Sequence, residues 1–380
     1  MPVTPGPLFS RLSREKWHDP AWQIKNRYQG ADGLKRLPLD IPPDEIAALH
    51  KVSNRYRWAS TPYYLSLINW DDPHDPVRLQ SLPGPEELCS PSSMRLSDDP
   101  LCERKHTRIK GLVHRYPDRA LLLVTGNCVS YCRHCNRKRT WKKNEAALNN
   151  DELYAIYNYI KQDRGIREVI LSGGDPLTLP LERLEQILAL FRKIPHVEVL
   201  RIGSRLPVTM PMGITPELCK ILARHRPLWL NTHFNHPVEI TGTAEAACDR
   251  LQKSGIPVSN QTVLLRGVND SFDTLSRLFR NLEAIMVRPY YLFHCEPVSG
   301  NLHFIPSIKK GLTIMRQINR ELGGLCVPSY VLDLPGGGGK ARLPASDLLE
   351  FTRDGAIFRN WDDNIEPIKL PGPALGWETG

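Results

Sequence analysis

The sequence lacks the features that would place a protein in a membrane or outside the cell. It contains no stretch of about 18 consecutive apolar residues, so no transmembrane helix is predicted. Its first residues, MPVTPGPLFSRLSREKW, include no apolar segment of the kind that a secretory signal requires. Nine cysteines, an odd number in a chain of 380 residues, do not suggest a disulfide framework. We therefore expect a cytoplasmic protein without a membrane partner.

Long runs of lysine and arginine are also absent, although the formal net charge is +9. Because the basic residues are spread along the chain, we do not expect nucleic acid as a partner, whereas anionic small ligands such as phosphates and carboxylates suit this charge. Apolar residues make up 41% of the chain and charged residues 24%, which is enough apolar material for a sizeable core. One large α/β domain with an extension is the expected organisation.

Short apolar runs alternate with amphipathic segments from residue 120 onwards. The runs are ALLLVT, EVILSGG, VEVLRIGS, LWLNTHF, VSNQTVLL, RPYYLFHC and SYVLDLP. Strands that alternate with helices predict repeated βα units and a parallel sheet. Six or seven repeats favour a partial, (β/α)6-type TIM-like barrel, and a doubly wound sheet is the alternative. The predicted parts are a helical or irregular N-terminal extension (1–110), the barrel (111–345) and a short C-terminal segment (346–380).

Polar clusters follow the apolar runs, and the carboxyl ends of parallel strands are where such folds bind ligands. These clusters are the cysteine-containing segment GNCVSYCRHCNRKR, then SGGD, GSR, NTHFNHP, RGVND, CEPVSG and PGGGGK. We therefore expect nearly all of the unusual chemistry to lie on one rim of the barrel.

Cys128, Cys132 and Cys135 have the spacing C-x3-C-x2-C just after the first predicted strand. Three thiolates can bind three irons of a 4Fe–4S cluster and leave the fourth iron open to a small chelating ligand. The alternatives are a zinc site that lacks a ligand, or cysteines of the core. The basic neighbours, Arg133 and the run 137–139, are expected to favour thiolates and to stabilise a negatively charged cluster.

The segment DLPGGGGKARLP contains four consecutive glycines, Gly336, Gly337, Gly338 and Gly339, followed by Lys340. Glycines allow positive φ and close approach of the backbone to a ligand. A lysine placed there could form a Schiff base with an aldehyde cofactor. A Walker A loop is excluded because Leu334 stands where its first glycine would be and Ala341 follows the lysine. A flexible linker remains the alternative.

The cysteine spacing resembles that of the radical S-adenosylmethionine (SAM) enzymes. In that family the open iron chelates the methionyl amino and carboxylate groups of SAM, whose reductive cleavage gives a 5′-deoxyadenosyl radical. A Gly-Gly-containing strand end of the family, which receives the methionyl amino group, is matched by Gly173, Gly174 and Asp175 in LSGGDPL.

With the glycine loop added, about three quarters of the chain resembles the lysine 2,3-aminomutase family, which also carries pyridoxal 5′-phosphate (PLP). The blocks HRYPDRALLLVT, IGSRLPV, LNTHFNHP, NQTVLLRGVND and RPYYLF carry the likeness. The resemblance implies that Lys340 binds PLP, that Arg115 and Arg119 bind its phosphate, and that Arg137 binds the substrate carboxylate. The implied reaction moves an α-amino group to C3 after the radical has removed a β-hydrogen.

Two acidic positions bear on the substrate. In the family's lysine enzymes two aspartates hold the distal ammonium of lysine, and these positions fall on Glu296 and Asp333 here. Two carboxylates facing one pocket favour a cationic side chain, and a glutamate-specific member should lack them. Lysine is the expected substrate. Arginine is the alternative, because its guanidinium can pair with a carboxylate through two hydrogen bonds.

This sequence departs from the family at its C-terminus, and the resemblance also implies partners. Clostridial members carry C-terminal cysteines that bind zinc, whereas EPIKLPGPALGWETG has none, so no zinc is predicted. The expected partners are an amino acid substrate, an electron donor such as flavodoxin or ferredoxin, and further copies of the chain in a homo-oligomer. Other classes left open are a radical methylase and a non-catalytic iron–sulfur or nucleic-acid-binding protein.

Overall fold

The fold was analysed in a computed structural model, which describes residues 9, 12–38, 43–89, 97–141, 147–343, 348–352, 355–360 and 364–369. The N-terminal extension contains short helices and one small strand pair. The helices are α1 (Arg14–Trp17), α2 (Pro20–Lys25), α3 (Gly30–Lys35), α4 (Pro43–Arg55), α5 (Pro62–Leu65), α6 (Pro76–Ser81) and α7 (Glu103–His106), and the strands are β1 (Tyr28–Gln29) and β2 (Ala59–Ser60). A 3-10 helix covers Pro85–Leu88.

A ten-stranded sheet forms the centre of the molecule. Its strands are β3 (Thr107–Ile109), β4 (Leu112–Tyr116), β5 (Arg119–Thr125), β6 (Glu168–Gly173), β7 (Val199–Gly203), β8 (Leu228–Thr232), β9 (Val258–Leu264), β10 (Arg288–His294), β11 (Ser329–Asp333) and β12 (Lys340–Arg342). They lie side by side in chain order, and β5 to β11 are parallel. The unreversed order excludes the doubly wound alternative.

Helices follow the parallel strands, and the result is the expected partial barrel. They are α8 (Asn150–Gln162), α9 (Leu181–Arg192), α10 (Leu206–Thr209), α11 (Pro216–Arg224), α12 (Gly242–Lys253), α13 (Phe272–Ala284) and α14 (Ile308–Glu321). Short 3-10 helices cover Lys138–Trp141, Pro176–Thr178, Pro211–Gly213, Pro237–Glu239, Leu302–Phe304 and Pro335–Gly337. The sheet remains open, with β3 and β12 at its two edges.

The helices begin where the sequence provides caps. Asn149 accepts from the Glu152 amide at 2.9 Å while Glu152 accepts from the Asn149 amide at 2.9 Å, which is a capping box at the start of α8. Thr215, Thr241 and Ser307 cap later helices with a single side-chain hydrogen bond each. Each cap satisfies amides that the first turn leaves without partners.

Along each strand, side chains that point into the core alternate with side chains that point toward a cavity. Val169 and Leu171 of β6 are fully buried in the hydrophobic core, whereas Glu168, Ile170 and Ser172 line the opposite face of the strand. Successive side chains of a strand point to opposite faces. The core therefore lies on one face of the sheet, and the other face is left for a site.

Two parts of the fold were not predicted as strands. The sheet begins at Thr107, inside the segment expected to be helical or irregular, because β3 and β4 add antiparallel strands to β5. The C-terminal segment contains a separate antiparallel sheet of β13 (Leu348–Thr352), β14 (Gly355–Arg359) and β15 (Ile365–Lys369). The predictions made for residues 1–8 and 370–380 lie outside the described residues.

Strands β11 and β12 form a hairpin at one edge of the sheet. The glycine loop joins them, and Asp333 is the direct cross-strand partner of Lys340. Three of the loop glycines have positive φ, which are Gly336 (70°), Gly337 (81°) and Gly339 (82°). Because side chains rarely tolerate this conformation, the loop requires glycine for its shape.

Within the part of the chain that the structure describes, no helix combines the length and the apolar character that a bilayer crossing demands.

Candidate active site

A cavity of 670 Å³ opens on the face of the sheet opposite the core, and it collects most of the predicted site residues. Those in its wall are Arg115, Arg119, Cys128, Cys132, Cys135, Arg137, Gly173, Gly174, Asp175, Glu296, Asp333 and Lys340. The glycines at 336–339 are not part of its wall; they shape the turn that carries Lys340. Residues that are 212 positions apart in sequence, Cys128 and Lys340, thus share one cavity.

The cysteine loop follows β5 and is attached to the N-terminal extension by its backbone. The Tyr131 amide donates to the Ala59 carbonyl at 2.9 Å, and the Arg133 amide donates to the Gln80 carbonyl at 2.9 Å. The Arg137 amide donates to Cys135 Sγ at 3.4 Å. The extension therefore sets the path of the loop and, through it, the position of the thiols.

A buried glutamate of the extension neutralises two of the loop's cations. Glu87 accepts from Arg133 Nη2 at 2.6 Å and from Lys138 Nζ at 2.8 Å, and all three side chains are nearly inaccessible to water. Burial alone would raise the pKa of Glu87, but Arg133 and Lys138 hold it below its ordinary value. This ion-pair group occupies the side of the loop that packs on the extension.

A second glutamate of the extension, Glu103, neutralises two further basic side chains of the loop, Arg137 and Arg139. Its carboxylate accepts from Arg137 Nη2 at 2.7 Å and from Arg137 Nε at 3.0 Å, and it is also bound by Arg139 Nη2. Burial works against this charge, yet Arg137 and Arg139 lower the pKa of Glu103 to about 2. Glu103 is in the cavity wall beside Arg137.

Arg137 and Lys138 act on Cys135 in the expected direction, because both lower the pKa of its thiol, but burial outweighs them. Removal from bulk water raises the pKa of Cys128 well above its ordinary value, with the Asp175 carboxylate adding to the shift, and it raises the pKa of Cys135 to about 11. The four basic side chains of the loop are also balanced by Glu87 and Glu103.

The three thiols fit a cluster better than a single ion. Among the described residues, no three His, Cys, Asp or Glu side chains are close enough to chelate one metal ion. In a 4Fe–4S cluster each thiolate binds a different iron, so the sulfurs need not converge on one point. The C-terminal residues on which the zinc prediction depends are largely outside the described residues, and the absence of zinc stays a prediction.

Arg205, which sequence reasoning did not single out, contacts a thiol of the cysteine loop. Its Nη1 donates to Cys132 Sγ at 2.9 Å, and its Nη2 donates to Glu239 Oε1 at 2.7 Å and to Gln80 Oε1 at 2.8 Å. Tyr64 Oη donates to the same Glu239 oxygen at 2.6 Å. The signal available was the position of GSR just after a strand, but nothing local to that motif reveals partners in the extension and in another loop.

The glycines of SGGD allow close packing between two strand ends. A Cβ on Gly173 would lie 2.3 Å from the Thr125 carbonyl oxygen, and one on Gly174 would lie 2.2 Å from that of Asn127. No side chain fits at either position. The Asp175 carboxylate accepts from Ser204 Oγ at 2.7 Å and from the Leu177 amide at 3.0 Å, so it joins the SGGD and GSR loops.

Glu296 and Asp333, called the acid pair below, lie in the cavity wall with Lys340. Asp333 Oδ1 is 3.2 Å from Lys340 Nζ, and the Asp333 side chain is only 4% exposed. No donor in the described structure reaches Glu296 Oε2, a buried oxygen. Burial and the neighbouring Asp333 carboxylate raise the pKa of Glu296 to about 8, against the opposing influence of Arg137. Lys340 thus pairs with Asp333, while among the described residues no cation is in hydrogen-bond contact with Glu296 Oε2.

The two arginines of HRYPDR differ in how they are held. Arg115 donates from Nη2 to the Leu101 carbonyl, while its buried Nε has no partner in the described structure. Arg119 donates to Asp118 at 2.8 Å and stacks over the Tyr116 ring, with Cζ 4.0 Å from the ring centroid. Both line the cavity, and the unpartnered Nε of Arg115 is suited to an anion.

Comparison with known proteins agrees with the fold and the cysteine loop. The family model of the radical SAM superfamily matches residues 122–279, which include the three cysteines and strands β6 to β9. The fold and the site thus define a radical SAM enzyme, a class whose members use SAM and an iron–sulfur cluster.

Relatives cover almost the whole chain. The L-lysine 2,3-aminomutase of Acetoanaerobium sticklandii is 44% identical over 364 residues, which are 96% of this chain and 87% of the relative. A putative L-lysine 2,3-aminomutase of Aquifex aeolicus is 46% identical over 337 residues, 88% of this chain and 90% of the relative. The glutamate 2,3-aminomutase of Clostridioides difficile is 37% identical over 353 residues, 93% and 83% of the two chains. The chain belongs to the lysine 2,3-aminomutase family and is an isomerase of the aminomutase type.

Glu87 gives a direct test of how the cysteine loop is held. Glu87→Ala leaves Arg133 and Lys138 buried without their counter-charge, so we expect the free energy of unfolding to fall by about 3–5 kcal/mol. The neighbouring Glu86 is exposed, and we expect Glu86→Ala to change it by less than about 0.5 kcal/mol. Urea unfolding of the metal-free protein, followed by tryptophan fluorescence, measures both. Equal losses in the two variants would contradict this account of the loop.

Proposed function

We propose that the protein is a SAM- and PLP-dependent amino acid 2,3-aminomutase that moves the α-amino group of L-lysine to C3. One observation carries the proposal: the three cysteines and Lys340 line a single cavity, together with Arg137 and the acid pair. In the proposal the cysteines hold a 4Fe–4S cluster that an external donor such as flavodoxin or ferredoxin reduces. The homo-oligomeric state is part of the same proposal.

Several residues of the cavity suit PLP. Lys340 projects its ammonium from the edge strand, 5.3 Å from the Phe293 ring centroid, and Tyr290 and Tyr291 provide further aromatic wall. Arg115, with its unpartnered Nε, and Arg119 are the proposed partners of the phosphate. When bound, SAM supplies the radical that removes a β-hydrogen, and PLP supplies the π system through which the nitrogen migrates.

The remaining work falls to the chain's own side chains, which bind and orient the substrate. Arg137 offers a guanidinium for the α-carboxylate, near the strand end of Gly173 and Gly174. Leu101 and Glu103 of the extension form part of the cavity wall, and a substrate bound there displaces bulk water from around a reactive radical. The substrate is thereby held with its β-carbon and its amino group in a fixed relation to the two cofactors.

The acid pair supports a cationic side chain. Lys340 Nζ is 3.2 Å from Asp333 Oδ1, which means that a primary ammonium fits against this carboxylate. The ε-ammonium of a substrate lysine can take the same position when Lys340 turns to PLP. Glu296, whose neutral form is favoured by burial and by Asp333, becomes ionised when such a cation approaches.

Arginine is the second candidate, and the observation that favours it is Glu296 itself. The longer glutamate has an oxygen, Oε2, without a donor, and a guanidinium could satisfy it together with Asp333. A glutamate substrate is disfavoured because its side-chain carboxylate would meet two more carboxylates. The Clostridioides difficile relative makes glutamate the appropriate negative control.

Lys340→Ala tests the cofactor. We expect purified wild-type protein supplied with PLP to keep it through desalting, and borohydride reduction to place a pyridoxyl group on Lys340, as detected by mass spectrometry. Lys340→Ala should lose this adduct because it has no amine at that position. The matched control is Lys309→Ala, because Lys309 is exposed, and this variant should keep the adduct. Lys138→Ala is unsuitable because Lys138 holds the cysteine loop. A pyridoxyl group on another lysine would contradict the assignment.

Substrate choice is tested with reconstituted, reduced enzyme under anaerobic conditions. Given L-lysine, L-arginine, L-ornithine and L-glutamate separately, it should form a β-amino acid from lysine, and SAM should be regenerated rather than consumed. Activity on arginine in preference to lysine would favour the second candidate. Turnover of glutamate alone would refute the role given to Glu296 and Asp333.

Glu296 also predicts a pH dependence of lysine binding. Its pKa near 8 in the protein exceeds the ordinary value of 4.5, so the free site carries a proton below pH 8 that a bound ammonium must displace. We expect the dissociation constant for lysine to decrease as the pH rises from 6 to 8, by up to about tenfold per pH unit. Glu296→Gln should remove this slope. Calorimetry with the cluster oxidised measures binding without turnover, and equal slopes in both proteins would overturn the prediction.

A further inference from the structure

Glu103 reaches the cavity from outside the barrel, on a segment formed by residues 97–106 of the extension. Its carboxylate engages Arg137 through two nitrogens, with Nη2 at 2.7 Å and Nε at 3.0 Å from Oε1. The Glu103 side chain is 3% exposed. A buried carboxylate therefore contacts the very arginine to which we assign the substrate carboxylate.

The segment is built to present this side chain. Asp99 accepts from the Glu103 amide at 3.0 Å and from the Arg104 amide at 2.9 Å, which fixes the turn before the short helix α7. Cys102, with φ of 48°, directs the chain into that helix. Arg139 Nη2 is 3.3 Å from Asp99 and also binds Glu103. Asp99 and Glu103 are thus both tied to the cysteine loop, and Glu103 is held from two sides.

Glu103 and Ser172 contact different parts of the Arg137 guanidinium. Glu103 occupies the edge that contains Nε and Nη2, while Nη1 donates to Ser172 Oγ at 3.3 Å. Ser172 precedes Gly173 on β6, at the strand end that faces the cavity. A guanidinium held along one edge cannot rotate away, so its Nη1 end stays directed at the place where a substrate carboxylate would lie.

The charge of Glu103 persists under all working conditions. Although burial opposes ionisation, Arg137 and Arg139 keep its pKa at about 2. Arg137 is ionised as well, because a guanidinium in a protein keeps its proton. The ion pair is therefore a constant part of the cavity wall.

We propose that Glu103 is a positioning residue, which orients Arg137 through the Nε–Nη2 edge so that Nη1 receives the α-carboxylate of the substrate. This inference rests on the function proposed above, in which Arg137 binds that carboxylate. Glu103 does not touch the substrate itself. Its effect is confined to ligands that possess a carboxylate.

Two ligands separate this role from a general structural one. L-lysine carries the α-carboxylate, and 1,5-diaminopentane is lysine without it. Dissociation constants for both are measured by calorimetry on the holoenzyme with SAM present and the cluster oxidised, so that no turnover occurs. We expect the wild type to bind lysine at least about tenfold more tightly than diaminopentane. Charge-assisted hydrogen bonds between the carboxylate and one arginine account for a difference of this size.

Glu103→Gln keeps the side-chain shape and removes the charge. We expect it to weaken lysine binding about tenfold and to change diaminopentane binding by less than about twofold. In turnover, KM for lysine should rise more than kcat falls. Asp98→Asn is the matched control on the same segment, since Asp98 pairs with Arg104 at 2.8 Å and is 53% exposed. It should alter neither constant.

Glu103→Asp keeps the experiment informative should the glutamine variant not fold. It retains the charge at a shorter reach, and it should weaken lysine binding by an intermediate factor without affecting diaminopentane. Equal weakening of both ligands by the Glu103 variants would show a merely structural role and overturn the inference. Tighter lysine binding would show that Glu103 competes with the substrate, which also overturns it. A wild type that does not distinguish the two ligands would overturn the role of Arg137 as well.

Discussion

Charge balance between the N-terminal extension and the cysteine loop is the interaction on which the site depends. Glu87 and Glu103, both nearly inaccessible to water, neutralise four basic side chains that the loop places within a few residues of its thiols. Without these acids the loop would bury uncompensated positive charge. The extension is therefore a part of the active site, although it contributes none of the cysteines and lies outside the parallel sheet.

The arrangement of the barrel could be predicted because it depends on local patterns. Apolar runs gave the parallel strands, and the rule that ligands bind beyond their carboxyl ends brought Cys128 and Lys340 to one rim. Strands β3 and β4 were missed because the segment HTRIKGLVHRY mixes charged and apolar residues without regular alternation. Such edge strands depend on the sheet to which they add.

The partners of the site residues could not be predicted, because they depend on contacts between distant parts of the chain. Arg133 and Glu87 are 46 residues apart, and Arg137 and Glu103 are 34 residues apart. Nothing in the local sequence around an acid shows which cation it will meet after folding. The same holds for Arg205, whose guanidinium links a thiol to the extension. The sequence thus indicated the candidate site residues, and the structure was needed to find the side chains that hold them in place.

The hairpin that carries Lys340 has a consequence for how this family can vary. Asp333 and Lys340 face each other across β11 and β12, so their separation is set by backbone pairing rather than by side-chain flexibility. A single inserted or deleted residue in the glycine turn would shift this pairing and direct the lysine to the opposite face of the strand. The length of the turn is therefore constrained together with its three positive-φ glycines.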